Sequence, residues 1–178
     1  MDEAYIYRCI PLAALFATLG VIFPIFFHLV GLGSAFLPMF IPVMMGATLL
    51  PPSIAVTVAI ITPLVSFVLT GMPPVYPPML FIIIVELIVV SLICSVFYGK
   101  KKLPIGWTLL IALAIDRLVL FGMIQLITKQ LGFSEKLFSL GVIFYGIPGM
   151  VLILIIIPLS LKFLRSKYPQ IVPSTGKQ

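Results

Sequence analysis

The sequence predicts an all-α integral membrane protein of six transmembrane helices with both termini in the cytoplasm, and three observations carry that reading. The chain of 178 residues is 62% hydrophobic and only 9% charged, where a soluble domain holds about 45–50% apolar and about 25% charged residues. Its mean hydropathy is +1.30. The apolar residues fall into six runs parted by Gly, Pro or basic clusters, and a helix of roughly 20 residues crosses a bilayer. Finally, the basic residues sit at the ends of these runs. Six runs put both termini on one face, with Arg8, Lys100, Lys101, Lys102, Lys162, Arg165, Lys167 and Lys177; only Lys129 and Lys136 lie opposite. Eight against two makes the terminal face cytoplasmic. The net charge of +6 therefore orients helices in lipid and implies no nucleic-acid partner.

The first span is expected from Cys9 to Leu29, with Pro11 suited to its first turn, where a missing N–H is harmless. Pro24 is expected to kink it or loosen its outer end. Ala13, Ala14 and Ala17 form a small-residue patch that would let another helix approach closely. Met1-Asp2-Glu3 is acidic where a secretory signal is basic, so no signal peptide is expected. After Gly31-Leu32-Gly33-Ser34 the second run, Ala35–Leu50, contains FLPMFIPVMMGATLL. It is short for a span and irregular at its start, which lipid tolerates only where the backbone is buried or lines a cavity.

The third run, Ser53–Thr70, reads as a helix containing Pro63, followed by the stiff loop GMPPVYPP, whose four prolines disfavour helix. The fourth span, Met79–Phe97, holds Glu86 and ends at an interfacial Tyr98 and the Lys100–Lys102 stop. The fifth, Leu103–Thr128, has Trp107 as an interface anchor and Asp116-Arg117 at its middle. Lys129–Ser139 is a polar hairpin loop, and the sixth span runs from about Leu140 to Phe163. Residues 1–163 thus form the membrane domain, and 164–178 a basic, frayed cytoplasmic tail. Cys9 and Cys94 lack metal spacing and serve as packing residues.

Glu86, Asp116 and Arg117 carry whatever chemistry the spans possess. An ionised side chain at mid-bilayer costs about 2.5–3.5 kcal/mol even on the lenient insertion scale. Asp116 and Arg117 point about 100° apart on a helix, so they open a polar sector rather than a bridge closed on itself. The fourth and fifth spans are antiparallel neighbours, and an extended Arg117 reaches Glu86. Two compatible readings follow: a buried Glu86–Arg117 bridge holding helices together, with Asp116 protonated or hydrogen-bonded, or a polar patch at the floor of an outward-facing pocket for a small polar ligand. His28, Phe36, Met39, Tyr76 and Tyr145 lie where such a pocket would open, the aromatics able to stack on a ring or to serve as belt residues. No enzyme is expected. The chain has no P-loop and no GxSxG elbow, and its one histidine excludes an HExxH site, so no metal or cofactor is implied.

The segment Phe36–Pro74, with FLPM-x-IPV at 36–43 and TPLVSFVLTGMPP at 62–74, resembles the substrate-binding S component of energy-coupling-factor (ECF) transporters. The pair Ala13/Ala17, the acid Glu86 and the arginine Arg117 stand where the related pattern also carries such residues. One departure is Phe40, where relatives commonly have histidine. The resemblance implies a six-helix subunit of a prokaryotic plasma membrane that binds a vitamin or related micronutrient from outside. The Ala13/Ala17 face would dock on a transmembrane coupling subunit, and two cytoplasmic ATPases would drive uptake. Beside it stand a self-sufficient proton-coupled secondary carrier, using Glu86 or Asp116, and an assembly subunit with a filled interior. No inverted repeat of the carrier kind is visible.

Overall fold

The computed structural model describes residues 3–29, 31, 37–76, 78–131 and 146–168, the side chains at 3–8, 28 and 128–131 excepted. The described residues are helical apart from short connections. In chain order the helices are α1 (Glu3–Leu29), α2 (Phe40–Leu49), α3 (Pro52–Thr70), α4 (Met79–Ile93), α5 (Ile105–Leu131) and α6 (Ile147–Lys167). A π-helical stretch, Cys94–Lys100, continues α4. Five helical segments among the described residues are long and apolar enough to cross a membrane. They turn large apolar side chains outward. On α3, Val68 is 79% exposed beside Leu64, Val65 and Leu69, while Ala55, Val58, Ala59, Thr62 and Ser66 are buried. An exterior of that kind suits hydrocarbon and makes this a multi-pass membrane protein.

The remaining helix, α2, is the centre of the packing. Its ten residues reach about 15 Å at about 1.5 Å per residue, half of a hydrocarbon core of about 30 Å. All of them are buried except the half-buried Met45. Phe40, Ile41, Val43, Met44 and Ala47 join residues of α1, α3, α4, α5 and α6 in one core. Pro51 and Pro52 end α2 and start α3, Pro52 at a position where its missing N–H costs nothing. The carbonyl of Leu50, left over at the end of α2, accepts a 2.6 Å hydrogen bond from Ser95 Oγ in the π-helical stretch.

Helices approach closely where glycine removes a side chain. A Cβ at Gly46 would lie 2.9 Å from the Phe16 ring, and one at Gly20 would lie 2.5 Å from Thr62 Cγ2. These two positions fix α1 against α2 and α3. Gly71 ends α3 in the left-handed conformation, φ 72°, with its N–H on the Phe67 carbonyl.

Several expected boundaries move. Helix α1 starts at Glu3, so Pro11 lies inside it rather than in its first turn. Proline is tolerated within membrane helices, where local adjustments re-satisfy the freed backbone groups. The helix also continues through Pro24 to Leu29. Tyr98, at the end of its span, does not face outward: it is 3% exposed, and its hydroxyl accepts a 3.3 Å bond from Arg165 Nη2. The polar partner on α6 is what lets the phenol sit inside. Helix α5 runs on to Leu131, through the start of the expected hairpin, and α6 extends to Lys167, past the expected start of the tail. Trp107 is 63% exposed, as an interface anchor should be.

Gly46→Val should lower the melting temperature of the purified protein, because overpacking a tight contact costs about 1–3 kcal/mol. Gly106→Ala, with nothing within 4 Å of the added carbon, should leave it unchanged or raise it slightly. Detergent-solubilised thermal unfolding checks the pair; equal melting for both would remove α2 as the packing centre.

Candidate functional site

Helix α4 presents Glu86 two turns from its start, roughly 10 Å along the axis. Helix α5 carries Asp116 and Arg117 near its middle. Both carboxylates are enclosed, with side-chain exposures of 5% for Glu86 and 0% for Asp116, whereas Arg117 is 15% exposed. The guanidinium curls back on its own helix. Nε donates to Asp116 Oδ2 at 3.1 Å, and Nη2 donates to the same oxygen. Nη2 also stands 3.6 Å from Glu86 Oε1, an ion pair too long for a hydrogen bond.

The expectation that adjacent residues could not close a bridge is thus corrected. An angular offset of about 100° between Cβ atoms constrains short side chains, but arginine has the reach to fold back over its neighbour. The Glu86–Arg117 pair forms as expected, as the looser of the two. Glu86 Oε1 and Asp116 Oδ1 are buried and accept no hydrogen bond.

Arg117 also sits against the start of α6. A Cβ at Gly146 would lie 3.0 Å from Arg117 Nη1 and 3.3 Å from Leu37 Cδ1. Leu37, in the break before α2, has φ 48°, a left-handed conformation rare for a branched residue and worth roughly 1–3 kcal/mol of strain. Sequence reasoning missed both as neighbours of the guanidinium. The signal lay in the irregular FLPM start and in the glycine ahead of α6, which only the fold brings together.

Other expected site residues scatter. Met39 and Phe40, 7% and 2% exposed, are both buried in the core around α2. Tyr76 is 80% exposed in the proline-rich loop. His28 belongs to α1, but its side chain lies outside the described residues, as do Phe36 and Tyr145 altogether. On α1, Ala13 and Ala17 are half-buried against the core, and Ala14 is exposed. Among the described residues no three His, Cys, Asp or Glu gather as a metal site would require.

Fold and site together define a polytopic helical membrane protein in which Glu86, Asp116 and Arg117 meet between α4 and α5, the acids buried and Arg117 partly exposed. No protein-family model, curated protein or solved structure matches the chain.

Removing the positive member alone leaves two buried carboxylates, a change that costs on the order of 3 kcal/mol in buried pairs. Arg117→Gln should therefore destabilise far more on its own than in the background Glu86→Gln/Asp116→Asn. Melting temperatures of the four proteins in one detergent measure the coupling; additive losses would mean that the three groups do not interact.

Proposed function

We propose that this chain is the substrate-specific membrane subunit of an ECF-type transporter in a prokaryotic plasma membrane. In this reading it is not itself an enzyme. It binds a small vitamin or related micronutrient from outside, and a transmembrane coupling subunit with two cytoplasmic ATPases supplies the energy. Its termini and the Lys100–Lys102 loop face the cytoplasm, which requires α2 and the chain leading into it to make the second of six crossings. The observation that carries the reading is the cluster of Glu86, Asp116 and Arg117: enclosed by helices yet reaching the surface through Arg117, 15% exposed. Intramembrane charges that face the bundle interior mark substrate pathways. Further support comes from the likeness of Phe36–Pro74 to the S-component pattern and from the short, buried α2 that this segment forms.

Uptake from reconstituted vesicles tests the proposal. Accumulation of a bound vitamin should require the coupling subunit, both ATPases and ATP; uptake by this chain alone under a pH gradient would replace the proposal with a secondary carrier. Arg117→Met should weaken vitamin binding by at least about tenfold, roughly 1.4 kcal/mol. Because Ala13 and Ala17 already press on the core, the docking face is best tested at exposed Ala14. Ala14→Leu should leave binding intact and sharply reduce ATP-driven uptake, since bulk there blocks close helix approach; undiminished uptake would exclude this face as the docking surface.

A further inference from the structure

The charges around Arg117 do not balance. Glu86 and Asp116 bring two negative charges and Arg117 one positive. Among the described residues, the start of α6 at Gly146 also lies against the guanidinium, and a helix N-terminus contributes about half a positive charge. With both carboxylates ionised, the sum over these described groups stays negative by about half a unit. Hydrogen bonding is unbalanced in the same sense. Arg117 gives Nε and Nη2 to a single oxygen, Asp116 Oδ2. Glu86 Oε1 and Asp116 Oδ1, on side chains at least nine-tenths buried, accept nothing. A buried carboxylate oxygen without a donor loses the full cost of its desolvation, more than the about 1–3 kcal/mol of a neutral group. The site is therefore short of donors and of positive charge on its carboxylate side.

We infer that this cluster takes the cationic, N–H-bearing end of its ligand, an amidinium or protonated amine, onto Glu86 Oε1 and Asp116 Oδ1. This rests on the reading of the cluster as a ligand site. A carboxylate or phosphate ligand would have to compete with Asp116 and Glu86 for the one guanidinium that both already share, and like charges brought that close repel. A nitrogen cation meets the opposite situation: it supplies charge-assisted donors to both oxygens, among the tightest hydrogen bonds proteins form. Arg117 then has a holding role, keeping one oxygen of Asp116 occupied so that the other stays free for the ligand.

Benzamidinium, benzamide and benzoate share one ring and differ in charge, so their effect on thermal unfolding of the detergent-purified protein tests the inference. Benzamidinium should stabilise it at millimolar concentration, benzamide less, and benzoate not at all, the shift following ligand saturation. Glu86→Gln, which keeps shape and removes charge, should weaken benzamidinium by at least about tenfold, and Glu86→Asp should restore part of the loss. Equal response to all three probes, as a protonated carboxyl would give, overturns the inference; so does a preference for benzoate, or silence from benzamidinium. The ranking on the unaltered protein decides even where a variant fails to fold. A panel of water-soluble vitamins run in parallel separates the two claims. A vitamin that stabilises the protein while benzamidinium does not leaves the receptor reading standing without the cation; silence from the whole panel as well removes both.

Discussion

The constraint on which this molecule turns is the cost of holding Glu86, Asp116 and Arg117 inside hydrocarbon. Each would cost several kcal/mol facing lipid, so the helices that bear them must turn them inward, and that fixes the rotation of α4 and α5 about their axes. Leu118, next to Arg117, is 70% exposed, and Phe81 on α4 is 56% exposed. The lipid-facing and inward-facing sides of both helices follow from where the charges cannot go. Mutual pairing then reduces the cost without abolishing it, because a single guanidinium serves two carboxylates and leaves an oxygen of each without a hydrogen bond.

Much of this was legible in the residues. The long spans follow from hydropathy alone, because in a bilayer the solvent itself selects about 20 apolar residues. The pairing of Glu86 with Arg117 followed from two antiparallel neighbours and the length of an arginine. What the residues concealed has a common physical origin. Helices do not stop where the apolar run stops, since backbone hydrogen bonding continues into the interface; hence α1 begins at Glu3 and α6 ends at Lys167. The partner of Tyr98, Arg165, is distant in sequence and is brought to it only by the fold. The closed Asp116–Arg117 pair was hidden by reasoning from backbone angles where side-chain length decides.

Helix α2 shows how the constraint spreads beyond the charges. A segment too short to cross is stable in a membrane only if other helices shield its ends, and α2 is enclosed on almost every side. The leftover Leu50 carbonyl is met by Ser95, a side chain brought to it by the π-helical continuation of α4. A π turn widens the helix and shifts the residues that follow it around the axis, and Tyr98 in the same stretch reaches Arg165 on α6. One irregular stretch thus ties the end of α2 to α6.

At the other end of α2 the chain enters through the strained Leu37, whose side chain lies beside Gly146 and so beside Arg117. Strain persists only where its surroundings over-determine it. Here the surroundings are the packed start of α2 on one side and the α6 entry with the guanidinium on the other. Any displacement of Arg117 would press on Gly146, which has no side chain to give, and on Leu37, which is already off its preferred conformation. The position of the guanidinium and that of Leu37 at the entry to α2 are therefore mechanically linked. The link runs through contacts already formed, and its far end is the helix against which α1, α3, α4 and α6 all pack.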